Sequence, residues 1–372
     1  MQQQHHPLLS ASLGTQSEII SFHFGEECDR QVYIQAALHG DELPGMAVAW
    51  YLKQRLKALE SAGKLNCCIT LVPVANPLAL AQHWHGTHLG RFHTLSGQDF
   101  NRQFPALGEV LAQTLADTLT QSEAENKRLI RDAIDRHFRD RIPHTELEAK
   151  RFTLMRMACQ ADLMIDLHCD WEALPHLYTT PQAWPHIEPL ARRLGSQAHL
   201  LAEISGGEPF DEACCEPWLT LKQRFGNDYP IPQGLLPVTL ELRGVRDVSP
   251  EQAEQDAEAI IQALVDGEFI NDEVQPLPDL QNKATPLAGC EYLHAPHSGL
   301  ILHRRELGEW VKAGEVVAEI VDPITDQVTP LIAEFGGLIY ARHWVRFATA
   351  GMLVVRLAGE DAGRSGELLV GK

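Results

Sequence analysis

Gln31-Val-Tyr-Ile-Gln-Ala-Ala-Leu-His39-Gly-Asp-Glu42-Leu-Pro44 is the stretch that decides the fold. The run up to Leu38 is mostly apolar and β-prone, which reads as a buried strand. It ends at His39-Gly40-Asp41-Glu42, and Pro44 then opens a helix, where proline is tolerated in the first turn. Val48, Leu52, Leu56 and Leu59 mark that helix's apolar face, and Gly63 ends it. Residues 67–74 predict a second strand, followed by Asn76-Pro77. Strand, helix, strand in this order begin an α/β sheet.

Working outward, residues 79–105 read as loop, rich in His, Gly and Thr. Residues 107–160 are polar and helical in composition, with one helix near 122–140 and another near 145–160, and read as a helical insertion or cap. Residues 161–167 predict a further buried strand ending at His168, and strands follow near 176–180, 198–204 and 236–242. Ser249-Pro250-Glu251-Gln252 is a helix start, with Ser as cap and Pro in the first turn, and that helix runs to about Val265. Residues 267–290 hold prolines, acids and amides without periodicity, as a linker or edge segment does. Beyond them Ala295-Pro-His-Ser-Gly299-Leu-Ile301 recurs loosely as Ala333-Glu-Phe-Gly-Gly337-Leu-Ile339, and Gly314 recurs as Gly351. Two matched halves predict a small pseudo-twofold β domain over 291–372, after an α/β domain over 1–266.

The chain has 372 residues, room for two or three domains. Its net charge of −19 argues against general binding to nucleic acid or acidic membranes, which need a basic face. No run of about 18 apolar residues is present, so no membrane span is expected. The polar start, Met1-Gln2-Gln3-Gln4-His5-His6, does not read as a secretory signal. Eight cysteines without a CxxC pair point to free thiols in a reducing cytoplasm. The 18 histidines direct attention to metal chemistry.

His39-x-x-Glu42 offers imidazole nitrogen and carboxylate oxygen to a borderline ion such as zinc. The pattern is weak alone, since His23-x-x-Glu26 and His303-x-x-Glu306 also match. Only His39 stands where a buried strand turns into a helix, the usual place for a site in an α/β sheet. His168 stands at the end of another buried strand and is the candidate third ligand, with Asp166 on its face as a carboxylate that could orient the ring. Glu241 lies in the apolar run Pro237-Val-Thr-Leu-Glu-Leu-Arg-Gly244, costly unless paired or put to use. It is either the acceptor of a proton from an attacking water or the partner of Arg243 or Arg246. In Asp99-Phe100-Asn101-Arg102, arginine offers a planar fork for a carboxylate and asparagine a further hydrogen bond; an ordinary salt-bridged loop is the other reading.

His39-Gly40-Asp41-Glu42, Asn76-Pro77, Asp99-Phe100-Asn101-Arg102, Asp166-Leu167-His168 and Thr239-Leu240-Glu241 follow one another in that order. The series resembles the succinylglutamate desuccinylase/aspartoacylase family, within the carboxypeptidase-A-like zinc hydrolases, over about residues 30–265. The resemblance implies a mixed-sheet α/β core of the zinc-carboxypeptidase kind. It also implies one Zn2+ per chain held by His39, Glu42 and His168, with Glu241 as general base and acid. Asn101 and Arg102 then clamp the substrate's carboxylate, and Arg91 stands for the arginine that polarises the scissile carbonyl. The expected activity is hydrolysis of a small N-acyl amino acid. The rivals are a carboxypeptidase acting on short peptides, a silent metal-binding member, and a Cys169 nucleophile beside His168. The last is poorly placed, because neighbours on a strand point to opposite faces. The C-terminal unit resembles a biotinyl/lipoyl barrel-sandwich domain. Its hairpin, residues 321–330, has no lysine, which argues against a carrier role. It is expected to pack beside the catalytic domain, narrow its mouth or build a homo-oligomer interface.

Overall fold

The computed structural model describes residues 1–26, 28–360, 363–366 and 368–369. They form two compact units. One comprises Met1–His168, Gly207–Thr239 and Pro250–Gln275; the other comprises Cys169–Gly206, Leu240–Ser249 and the chain from Pro276 onward.

The first unit opens with strands β1 (Gln2–Pro7), β2 (Glu18–Phe24) and β3 (Gln31–Ala36), helix α1 (Pro44–Ser61) and strand β4 (Cys68–Val72). A short helix α2 (Pro77–Leu80) runs into the start of the predicted loop, and a hairpin of β5 (His83–Trp84) and β6 (Thr87–His88) lies inside it. Helices α3 (Gly108–Leu115), α4 (Glu123–Arg139) and α5 (Glu146–Ala158) follow, then strand β7 (Leu163–Asp170). β3 is parallel to both β4 and β7, with Val32 opposite Ile69 on one side and Leu163 on the other. β2 is antiparallel to β4, and β1 to β2, so the sheet is mixed. A parallel centre is covered on both faces, which is why β3 and β7 are almost wholly buried and read as apolar runs.

The insertion shares the sheet's core. Leu111, Ile130, Ile134, Leu154 and Met155 from α3, α4 and α5 pack in one cluster with Tyr33 of β3 and Met164 of β7. Ser122 and Thr145 cap α4 and α5 by accepting from the N–H groups of Glu125 and Glu148.

In the second unit, β8 (Glu172–Ala173), β9 (His176–Thr179), α6 (Trp184–Arg193) and β10 (Ala198–Leu201) come first. The chain then adds α7 (Phe210–Phe225) to the first unit, runs through β11 (Leu236–Gly244), and returns to the first unit with α8 (Pro250–Asp266). Among the elements that sequence reading does not single out are β1, β2, α3, α6 and α7. β1 is polar up to Pro7 and is held by its ladder to β2, with His5 on Glu18 and His6 on Ser21 beside it. Pro189 and Pro217 stand inside α6 and α7 and break the helical pattern. Ile187, Leu190 and Ala191 nonetheless bury one face of α6.

The C-terminal strands are β12 (Thr285–Pro286), β13 (Cys290–His294), β14 (Gly299–His303), β15 (Trp310–Lys312), β16 (Val316–Asp322), β17 (Gln327–Ile332), β18 (Gly336–Arg342), β19 (Phe347–Ala348) and β20 (Leu353–Ala358). β12 pairs in parallel with β10, as β9 does. The rest make two antiparallel sheets, ordered β13-β20-β18-β15 and β17-β16-β14-β19, with β8 added to β18. The repeat is physical. Gly314 donates to the Ala333 carbonyl at 2.8 Å and Ala333 to that of Glu315 at 3.0 Å. In the other half, Gly351 donates to the Ala295 carbonyl and Ala295 to that of Met352, each at 2.8 Å. The two glycines, at φ +86° and +83°, make the same left-handed turn in each half.

Glu291 joins the two halves. Its buried carboxylate accepts the backbone N–H groups of Glu334, Phe335 and Gly336 at 2.5, 3.1 and 3.3 Å. Glu291→Ala strands three donors, and we expect a loss of about 2–4 kcal/mol. A lower urea midpoint, followed by near-ultraviolet circular dichroism, is the check; an unchanged midpoint refutes it.

Candidate metal centre

The chain leaves β3 through Ala37, whose φ of +58° is left-handed and costs a non-glycine residue about 1–2 kcal/mol. The neighbouring bonds hold it there. Ala75 donates to the Ala36 carbonyl at 2.8 Å, and the Asn76 side chain donates to the Leu38 carbonyl at 2.8 Å. Asn76 also caps α2 by accepting from Ala79. A side chain at position 40 would sit 2.5 Å from the backbone of Ala79 and Leu80, so only glycine fits between His39 and Asp41. Gly45, in the first turn of α1, lets that helix approach the Leu167 carbonyl of β7. The His39–Glu42 turn and His168 are thus brought together by close backbone packing.

His39, Glu42 and His168 are 2%, 4% and 3% exposed. Glu42 Oε1 lies 2.8 Å from His39 Nδ1, and Oε2 lies 2.7 Å from His168 Nδ1. One nitrogen from each ring and one carboxylate oxygen lie within 4.8 Å of one another. Each ring is backed by a second carboxylate. His39 Nε2 is 2.9 Å from Asp99 Oδ1, and His168 Nε2 is 3.0 Å from Asp166 Oδ2. Each ring therefore has a carboxylate acceptor at both nitrogens, Glu42 at Nδ1 and Asp99 or Asp166 at Nε2; the far-side carboxylate fixes the ring and keeps a proton on Nε2, so Nδ1 is the nitrogen that would be offered to a cation. The backing continues inward: Gln35 Nε2 donates to Asp166 Oδ1 at 2.9 Å, and Tyr33 OH donates to Gln35 Oε1 at 2.8 Å.

The electrostatics follow from this crowding. Burial alone would raise the Glu42 carboxyl, but His39 and His168 outweigh it and hold the group well below the usual carboxylate range. Burial would lower the His168 imidazole, yet Asp166 and Glu42 push it well above the usual histidine value. Asp99 is likewise held low, its burial outweighed by His39 and Arg91. Two imidazoles and a carboxylate, facing one space with negative charge behind them, fit a divalent ion of the zinc kind.

Arg91 reaches the same group, 3.4 Å from Glu42 Oε1 and 3.4 Å from Asp99 Oδ2. Asn101 is buried, and its Oδ1 accepts the first N–H of α7, from Phe210, at 2.8 Å. Arg102 donates to the Asn101 carbonyl at 2.7 Å. Glu241 lies half-buried on β11, in the second unit. Arg246, one of its two candidate partners, lies over the Trp344 ring at 4.7 Å. The other two His-x-x-Glu matches go elsewhere: His23 bonds Ser21 at 2.8 Å, and Glu306 bonds Arg342 at 3.0 Å. Sequence reasoning missed Asp99 as the partner of His39, and the Gln35–Tyr33 relay. A glutamine in a buried strand is the signal that pointed to the second; nothing local points to the first.

A sequence profile of the succinylglutamate desuccinylase/aspartoacylase catalytic domain matches residues 28–266. A protein from Shewanella amazonensis SB2B assigned to that family is 24% identical, with 96% of this chain and 98% of that chain covered, at a TM-score of 0.85. One from Shewanella frigidimarina NCIMB 400 is also 24% identical, with 96% of both chains covered, at 0.83. The product-bound ectoine utilization protein EutE (DoeB) from Ruegeria pomeroyi is 15% identical, with 96% of this chain and 94% of that chain covered, at 0.68. No curated protein matches the sequence. These likenesses carry the mixed α/β fold.

Asp166→Asn keeps the shape but removes the charge behind His168. We expect metal affinity to fall roughly 10–100-fold, read by competition with a chromogenic chelator. Wild-type affinity in the variant would leave Asp166 without that role.

Proposed function

The chain belongs to the succinylglutamate desuccinylase/aspartoacylase family of hydrolases, and on that premise we propose a zinc-dependent deacylase that hydrolyses the amide bond of a small N-acyl amino acid, of the succinylglutamate or N-acylaspartate type. The observation that carries this is the buried His39–Glu42–His168 group, with each imidazole backed by its own carboxylate. That donor set suits zinc, which when bound supplies a Lewis acid and lowers the pKa of water.

The chain's own residues do the rest. Asn101 and Arg102 hold the substrate's carboxylate, so that orientation is set before chemistry. Arg91, the guanidinium next to Glu42 and Asp99, polarises the scissile carbonyl and stabilises the oxyanion that develops there. Glu241 takes the proton from the attacking water and returns it to the leaving amine as the C–N bond breaks. Asp99 and Asp166 keep the two imidazoles turned toward the metal. In this reading residues 1–266 are the catalytic domain, 267–290 a linker or edge segment, and 291–372 a barrel-sandwich domain. No described helix is long and apolar enough to cross a membrane, and the sparse cysteines support a place in the cytoplasm.

Protein purified without chelators should carry about one zinc per chain, lost in His168→Ala, by elemental analysis. No zinc even after it is added back would sink the mechanism. On a panel of N-acyl amino acids, Glu241→Gln should keep the metal and lose turnover by about 10²–10⁴-fold. Full turnover in that variant would remove Glu241 from the reaction. Arg102→Ala should act mainly on KM, raising it about tenfold or more, and an unchanged KM counts against the clamp.

A further inference from the structure

Helix α5 turns three polar side chains toward the segment that carries Asp99, Asn101 and Arg102. Lys150 Nζ donates to the Phe100 carbonyl at 2.8 Å. Arg151 Nη2 donates to the Arg102 carbonyl at 2.9 Å and to Gln98 Oε1 at 3.2 Å. Glu146 Oε1 lies 2.9 Å from His93 Nε2. Positions 146 and 150 are one turn apart and 151 stands about 100° further round, so one helix reaches His93, Gln98, Phe100 and Arg102. The carbonyls of Phe100 and Arg102 flank Asn101, and both are held from α5. The next residue, Gln103, has a left-handed φ of +59°, a conformation that persists only where its surroundings fix it.

Lys150 is the unusual member. It is fully buried, with its Nζ 5.4 Å and 5.0 Å from the ring centres of Phe100 and Phe104. Burying an amine is costly unless it is partnered, and an apolar side chain of the same length would fill the space without that cost. Burial and the neighbouring Arg151 push the Lys150 amine well below the usual lysine value, only partly offset by Asp99 and Asp166, the carboxylates behind His39 and His168. Charged or neutral, Nζ remains the donor to the Phe100 carbonyl.

We propose that Lys150 is a positioning residue: by fixing the Phe100 carbonyl, with Arg151 and Glu146 beside it, helix α5 sets the geometry of Asn101 and Arg102 and so selects substrates that present a carboxylate. This rests on the reading of Asn101 and Arg102 as the carboxylate clamp. It gives the helical insertion a task in specificity.

Hydrogen–deuterium exchange on the full chain, wild type against Lys150→Met, reads the positioning without activity. Amides of residues 98–104 should exchange at least about tenfold faster in the variant, with β3 unchanged. Equal exchange over 98–104 overturns the proposal. Kinetics read the consequence. The preference for N-acetylaspartate over its α-carboxamide should fall about tenfold or more through KM, with kcat within about threefold and zinc retained. A preference kept at the wild-type level overturns the proposal, as does loss of zinc in place of loss of preference. A wild type that hydrolyses no member of a panel of N-acyl amino acids, N-succinylglutamate included, sinks the deacylase reading, while exchange still decides the positioning; if another member is the substrate, that compound and its α-carboxamide replace the pair. If Lys150→Met does not accumulate folded, Arg151→Met and Glu146→Gln carry both readouts, with smaller shifts of about three- to tenfold. Wild-type values in both of these variants overturn it.

Discussion

A buried carboxylate facing two imidazoles is the constraint on which the first unit depends. Glu42 is out of water, and an unpaired ion there would be expensive, so both of its oxygens are engaged by histidine nitrogens. Each histidine then needs an answer on its far side, and Asp99 and Asp166 supply it. Those are buried or nearly so, and they recruit further partners: Arg91 for Asp99, and Gln35 and then Tyr33 for Asp166. One charge thereby ties together the end of β3, the start of α1, β7 and the loop before the helical insertion. A divalent ion held by these donors would offset the cost of burying them. Metal binding and stability of this unit are therefore expected to be linked.

This logic decides what was legible in the sequence. His39, Glu42 and His168 stand at the ends of apolar strands, where a polar side chain is conspicuous, and β3, α1, β4, β7, β11 and α8 appear within a few residues of where periodicity puts them. Asp99 was visible only as part of a charged loop. It meets His39 across 60 residues of sequence, and no local pattern encodes a contact between two loops. Helices α6 and α7 were hidden because Pro189 and Pro217 break the pattern while tertiary burial overrides it. β1 was hidden for the opposite reason: its residues bury almost nothing, and pairing to β2, with polar side-chain contacts, defines it.

The C-terminal strands show a repeat becoming structure. A loose match of glycines spaced 37 or 38 residues apart carries little weight as a pattern. It gains weight because the matched residues bond reciprocally, each half's glycine turn donating to the other half's alanine. A symmetric exchange of that kind lets two short sequences, neither able to bury a core alone, close one around Ile301, Val317, Ile320, Ile339 and Val355.

The helical insertion invites the same reasoning from the other side. An insertion that merely covered a pocket would need an apolar face and nothing more. Helices α3, α4 and α5 do bury such a face with Tyr33 and Met164, which accounts for their stability. It does not account for Lys150 and Arg151, buried on α5 and bonded to main-chain carbonyls. Nor does it account for Ala37 and Gln103, left-handed without being glycine, on either side of the residues that face the metal group and the clamp. Local rules are broken where geometry matters more than stability, and the surrounding structure must hold the broken places fixed. The bonds from Ala75 and Asn76 at the end of β3 hold the first; the bond from Gln103 N–H to the Gly207 carbonyl at 2.9 Å, with Arg151 on the adjoining Arg102 carbonyl, holds the second.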